Sequence, residues 1–223
     1  MSELVLSAGL GFFLLIALGG VGVRYRVRKS IERCEDESVN GELKVGGFVE
    51  RVKVAEELEG LDVREAGSRG SGFYFPGQGL IEVPPSGNSL LGFAVAAHEI
   101  SHASQEDRWF SLLKMGSYLE PTAKLLAYSF PILLLLGILF YPPLTVVGGF
   151  MFLALLALTA LEMALEIEAS RTALEYLEVH ADLDEYKIRE VKKLFSWAIL
   201  TRIVHLAGGY TALFSSNERE VRE

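Results

Sequence analysis

The chain has 223 residues, of which half are hydrophobic and only 22% charged, and its mean hydropathy is +0.31. That charged share is low for a soluble domain of this length and moves the class toward integral membrane proteins. The formal net charge of -8 gives no support for a nucleic-acid partner, and the single cysteine, Cys34, excludes an intrachain disulfide or a thiolate metal cluster.

The first predicted element is a membrane span over Leu4–Val23, about 20 residues without a charge, the length that crosses a hydrocarbon core of roughly 30 Å. Arg24, Arg26, Arg28 and Lys29 follow it directly, and only Glu3 precedes it. This asymmetry puts the amino terminus outside and the chain from Arg24 onward in the cytoplasm. A cleaved signal peptide is the rival, given Ala17-Leu18-Gly19-Gly20, but the basic cluster lies on the wrong flank for one.

Residues 24–124 read as a small α+β cytoplasmic insert. Apolar positions recur at helical spacing over Val45–Leu58, with Gly60 closing the helix, and Leu61-Asp62-Val63 reads as a short strand. Gly72–Phe75 and Leu80–Val83 form a β-hairpin through Pro76-Gly77-Gln78-Gly79, and Pro84-Pro85 ends it. Ser86, Asn88 and Ser89 are suitable N-caps for a helix over Leu90–Gln105.

No charge occurs from Leu125 to Leu161, too long a stretch for one span, and Tyr141-Pro142-Pro143 divides it into two arms, Leu125–Tyr141 and Leu144–Leu161. Pro131 lies inside the first arm, where membrane helices tolerate it. Residues 162–193 then form a cytoplasmic helical segment. Leu194–Phe214 is apolar but carries Arg202 and His205, so as a fourth span it either packs inward or is partly embedded. Residues 215–223 are a polar tail. The expected architecture is therefore a mainly α membrane protein with about four transmembrane helices and a small α+β insert.

The run His98-Glu99-Ile100-Ser101-His102 adds the core of an expected zincin-like site. Four residues along an α-helix is about 400° of rotation, so both imidazoles project from nearly the same face, one turn apart. Two ring nitrogens at that spacing reach one tetrahedral Zn²⁺ at about 2.0–2.1 Å. Glu99 is placed to reach water at the metal, as the proton acceptor of the H-E-x-x-H arrangement in peptide hydrolysis. Two of the protein's four histidines fall in this run, beside the small residues Ala94, Ala96, Ala97 and Ala103. The plain alternative is a pair of ordinary histidines on a helix face.

Catalytic zinc needs a third protein ligand. The extended form with a third His is excluded, because Arg108 stands at its position. Glu162, Glu166 and Glu168 follow the third apolar stretch. For Glu162 and Glu168 a solvated helix end is the preferred reading. Glu166 is followed on the same face by Ala169, which leaves room for another helix, and Ser170 or Arg171 is placed to hydrogen-bond groups around the metal.

The segment Ala96–Gln105, A-A-H-E-I-S-H-A-S-Q, resembles the A-A-H-E-x-G-H-A-x-Q run of the YugP-type membrane zinc metallopeptidases. Glu166–Leu174, E-I-E-A-S-R-T-A-L, resembles that family's E-F-x-A-S-x-x-A-L run, and is similar to the E-x-x-A-D motif of HtpX-type and prenyl-protein membrane peptidases. The resemblance covers most of the chain. It implies a zinc endopeptidase of gluzincin type, with Glu166 as third ligand, acting on peptides or membrane proteins at the cytoplasmic membrane surface. It departs at Ser101, where the family usually has Gly, over Gly67–Phe75, and at Arg202.

An extended substrate needs a free strand edge near the site, for which Leu80–Val83 is the candidate, with a structural hairpin the plain alternative. The developing oxyanion needs a donor besides zinc. Arg202 and His205 fit by type, Tyr118 and His180 less well, and an Arg202 paired with Glu162 or Glu168 is the structural alternative. Two other readings remain at this point: a non-catalytic zinc-stabilised scaffold, and an intramembrane metallopeptidase. The polar run Ser104–Arg108 argues against deep burial, and Glu99 argues against the scaffold.

Overall fold

The computed structural model describes residues 2–39, 41–67, 72–85 and 87–207, with helical backbone alone for 2–18, 107–121, 124 and 202–207. Among the described residues the chain runs α1 (Ser2–Asp36), α2 (Val45–Ala55), β1 (Asp62–Glu65), β2 (Phe73–Phe75), β3 (Leu80–Val83), α3 (Leu90–Ser104), α4 (Glu106–Leu139), α5 (Pro142–His180) and α6 (Glu185–Ala207). It divides into two units. One comprises the residues up to Arg26, Tyr118–Met163 and those from Ala198; the other comprises Val27–Ser117 and Ala164–Trp197.

In the second unit, Val45, Phe48, Val49 and Val52 form the buried stripe of α2, the recurrence visible in the sequence. The Phe48 ring lies 5.4 Å from that of Phe93 on α3, inside a core that also takes in Cys34, Ile81, Ile100, Leu177 and Val191. Each such side chain contributes about 1.5–3 kcal/mol by leaving water. The helix α2 ends at Ala55, ahead of the expected Leu58, because Glu57 takes a left-handed conformation with φ 55°.

The hairpin forms over the expected turn, with β2 antiparallel to β3 in the register Phe73↔Glu82, Tyr74↔Ile81 and Phe75↔Leu80. Gly77 and Gly79 both carry positive φ, which the turn requires. The strand β1 pairs with the other side of β3 in parallel, so the order is β1-β3-β2. This corrects one expectation. Leu80–Val83 is the central strand, hydrogen-bonded on both sides, with Leu80, Ile81 and Val83 buried, and it offers no free edge. Its near-continuous apolar run is what a strand covered on both faces looks like.

In the first unit, the chain reverses at Tyr141, whose carbonyl accepts the Leu144 amide at 2.9 Å, and Pro142 opens α5. Pro131 sits inside α4 without ending it. The two arms meet closely at Gly137, where a Cβ would collide with the Thr145 backbone. They meet again at Gly148, where a Cβ would stand 3.0 Å from the Leu134 amide nitrogen. Gly149 faces open space.

The four-span expectation does not hold. Among the described residues only α5 is long and apolar enough to cross a bilayer. The apolar part of α4, Leu125–Leu139, falls short of a full span, since its rise of about 22 Å does not cover roughly 30 Å of hydrocarbon. Leu194–Ala207 belongs to a helix that opens on the charged run Glu185–Lys193 and does not qualify. Most of Leu4–Val23 falls on residues whose side chains lie outside the described ones.

Candidate metal centre

The motif helix α3 begins at Ser89, whose hydroxyl accepts the Gly92 amide at 3.2 Å; Ser86 lies outside the described residues. Leu90, Leu91, Phe93, Ala94, Ala96, Ala97, Ile100, Ser101 and Ala103 are all buried. From Leu90 to Ala103 the partly open positions are Val95, His98, Glu99 and His102. They sit at i, i+3, i+4 and i+7, a single stripe of the helix. Ser101, at the position where the resembling run has Gly, is accommodated because its buried hydroxyl donates to Ala97 O at 2.6 Å.

Glu166, 68 positions along the chain on α5, reaches this stripe: His98 Nε2 and Glu166 Oε2 are 3.1 Å apart. One donor atom each from His98, His102 and Glu166 lie within 4.8 Å of one another. Ligands at about 2.0–2.1 Å from a tetrahedral ion stand about 3.3–3.4 Å apart, so the His98–Glu166 separation is close to a tetrahedral edge. Two imidazoles and one carboxylate are also a donor set that zinc accepts while keeping a position open. The residues present fit the metal.

Neighbouring side chains fix this arrangement. The Phe195 ring of α6 lies 5.4 Å from that of His98, and the His98 and His102 rings are nearly perpendicular at 4.8 Å. Gln105, the residue that closes α3, contacts His102 Nδ1 through its Oε1 at 3.1 Å and donates from Nε2 to Leu165 O at 3.3 Å. The next residue, Glu106, accepts from the Tyr74 hydroxyl, and from the Gly77 amide at 2.9 Å, which ties the β2–β3 turn to the end of the motif helix. Gly72, entering β2, stands against Val95 and Glu99. From sequence alone Gln105, Glu106, Phe195 and Gly72 have no assigned part in the site. Only Gln105 left a signal, because i+3 from His102 is on the same helix face.

Of the other residues singled out, Ala169 and Ser170 are buried and Arg171 is exposed, and the hydrogen bonds described at the centre involve neither Ser170 nor Arg171. His180 is away from the centre, at the end of α5, where it shares a surface groove with Gly47, Glu50, Arg51 and Val54 of α2. The side chains of Arg202, His205 and Tyr118 lie outside the described residues. Cys34 is buried, and burial first, then the Glu190 and Glu37 carboxylates, push its thiol up to about 12. It is neutral at physiological pH and no nucleophile.

A family model described as "Putative neutral zinc metallopeptidase" matches residues 10–215. A search of curated proteins and a search of solved structures each found no match. The family match takes in nearly the whole chain, both ligand-bearing helices included, and the chain belongs to that zinc metallopeptidase family.

Proposed function

From that family membership we propose that the chain is a membrane-anchored zinc endopeptidase in which His98, His102 and Glu166 hold the metal and Glu99 is the general base. The observation that carries this reading is the convergence of Glu166 on the His98–His102 stripe, at 3.1 Å, from 68 residues away. When bound, zinc supplies a Lewis acid that polarises the scissile carbonyl and brings the pKa of water to around 7. Glu99 shares the partly open stripe with both histidines, one step off the line joining them. Its carboxylate takes a proton from the attacking water and delivers it to the departing amine nitrogen. His98 Nε2, held by the Phe195 ring, and Glu166 Oε2 bind and do not transfer protons.

For substrate, β2 replaces β3 as the strand edge. It pairs only with β3 among the described residues, Phe73 is exposed, and Gly72 brings its start against Glu99. A peptide extended along β2 gains backbone hydrogen bonds that tolerate many sequences. The apolar part of α5 supports anchoring in a bilayer, and the basic residues after position 23 support a site on the cytoplasmic side.

The test is to purify the protein in detergent, measure bound metal and compare cleavage of casein and membrane-protein substrates. Wild type is expected to carry zinc and cleave, Glu99→Gln to keep zinc and lose at least ~100-fold in kcat, and Glu166→Ala to lose most of its zinc. A wild type that holds zinc yet cleaves no better than Glu99→Gln across the panel would leave a structural zinc scaffold. Full metal retention in Glu166→Ala would remove that ligand assignment.

A further inference from the structure

The Gln105 side chain is 5% exposed and stands between the two helices that carry the metal-site residues. A buried amide must satisfy both of its ends. Leu165 O, the carbonyl of the residue before Glu166, can only accept, so the amide nitrogen of Gln105 faces it, at 3.3 Å. That orientation turns Gln105 Oε1, which can only accept, toward His102 Nδ1 at 3.1 Å. His102 must then donate from Nδ1, and in the neutral imidazole the lone pair is left on Nε2.

We propose that Gln105 is a positioning residue that sets the His102 tautomer from the α5 backbone, so that His102 is ready to bind zinc through Nε2. The inference rests on the metal-site reading above. The chain of contacts starts at the residue beside Glu166 and ends at His102. The position of the third ligand's helix and the tautomer of the second histidine are therefore set by one side chain. Alanine removes both contacts. Glutamate keeps an acceptor for His102 Nδ1–H but loses the donor to Leu165 O, which separates the two roles.

The first measurement is made on metal-free protein at alkaline pH, where the imidazoles are neutral. Long-range ¹⁵N–¹H correlation spectra report which ring nitrogen carries the proton, and with four histidines in the chain the signals are few enough to assign by single substitutions. His102 is expected to be protonated on Nδ1 in wild type and Gln105→Glu, and to move to the Nε2–H form in Gln105→Ala. Zinc affinity, read by competition with a chromophoric chelator, is expected to fall 10–100-fold in Gln105→Ala and to recover at least in part in Gln105→Glu. A His102 tautomer that is the same in wild type and Gln105→Ala, or is Nε2–H in wild type, overturns the proposal. If Gln105→Ala does not fold by circular dichroism, the wild-type and Gln105→Glu spectra still decide it. Failure of the metal-site reading would show separately, as wild-type protein that binds no zinc whatever its tautomer.

Discussion

At Gly72 the chain enters β2 against the Val95–Glu99 turn of α3. A Cβ there would stand 2.5 Å from Val95 Cγ1 and 2.9 Å from Glu99 Cγ. Val95 is β-branched and stiff, so the added methyl must push the start of the strand away from α3, and it crowds the Glu99 side chain as well. Gly72→Ala is expected to cost about 1–3 kcal/mol of stability. Because shifts of about 1 Å in a catalytic group cost up to ~100-fold, its kcat/KM is expected to fall between 10- and 100-fold. Zinc content should be unchanged. Thermal melts, metal analysis and casein cleavage check all three, and wild-type cleavage by a folded variant would remove Gly72 from the site's construction. His98, Glu99 and His102 are legible in the sequence because their relation is local, one turn of one helix. Glu166 is reachable only through its small neighbours Ala169 and Ser170 and a resemblance. Gly72 is silent in sequence, and Gln105 is marked there only by its place one turn past His102, because what they do depends on Val95, Glu99 and Leu165, residues that only folding brings near.

At the scale of elements, Glu190 joins the end of α1 to α6. Its buried carboxylate lies 2.6 Å from Lys193 Nζ and 3.6 Å from Arg33 Nη1. The Lys193 hydrogen bond is the largest influence; burial opposes it, and the charges of Lys193, Arg33 and Arg189 add to it, so the carboxyl is held below its ordinary value of 4.5. A carboxylate depressed in the folded state stabilises the fold above its unfolded pKa, and the contribution is lost as pH falls through the folded pKa. Glu190→Gln is therefore expected to lose about 1.5–3 kcal/mol at neutral pH. In urea titrations the gap from wild type should start to narrow below pH 4.5 and close once the pH has passed below the depressed folded-state pKa. An equal gap at neutral and acid pH would show that the ion pair contributes nothing. Elements with local signals are legible: the Val45 and Phe48 stripe, the Ser89 cap, and the glycines of the β2–β3 turn. The parallel pairing of β1 with β3 is not, since residues 62–65 carry no mark of a partner 18 positions on. The misassigned sheet edge follows from that gap, because a strand's rank in a sheet is set by non-local pairing.

For the whole molecule the apolar surface decides how the chain meets its surroundings. Ile132, Leu135, Ile138 and Phe140 on and just after α4, with Val146, Phe150 and Leu153 on α5, are exposed. Exposed apolar side chains in this number on one helical pair are characteristic of a membrane or protein contact. Four apolar stretches do not make four crossings, because the bilayer tests helix length as well as composition. Leu125–Leu139 is too short, and the final apolar stretch is continuous with a charged helix. The helix α5 meets the length and composition requirement, and the same helix carries Glu166 five positions after its last uninterrupted apolar residue, Leu161. The chain is expected to sediment with membranes, resist extraction by alkaline carbonate and dissolve in mild detergent. Replacing Leu153 by Arg places a charge near the middle of the apolar part of α5, at a cost of about 2.5–3.5 kcal/mol for insertion. Carbonate should then release a larger fraction of the protein. Because residue 153 lies outside the unit that contains His98, His102 and Glu166, detergent-purified Leu153→Arg should still bind zinc. Complete carbonate release of wild type would overturn the anchoring role of α5, while loss of zinc in Leu153→Arg would show that the metal centre depends on the apolar segment.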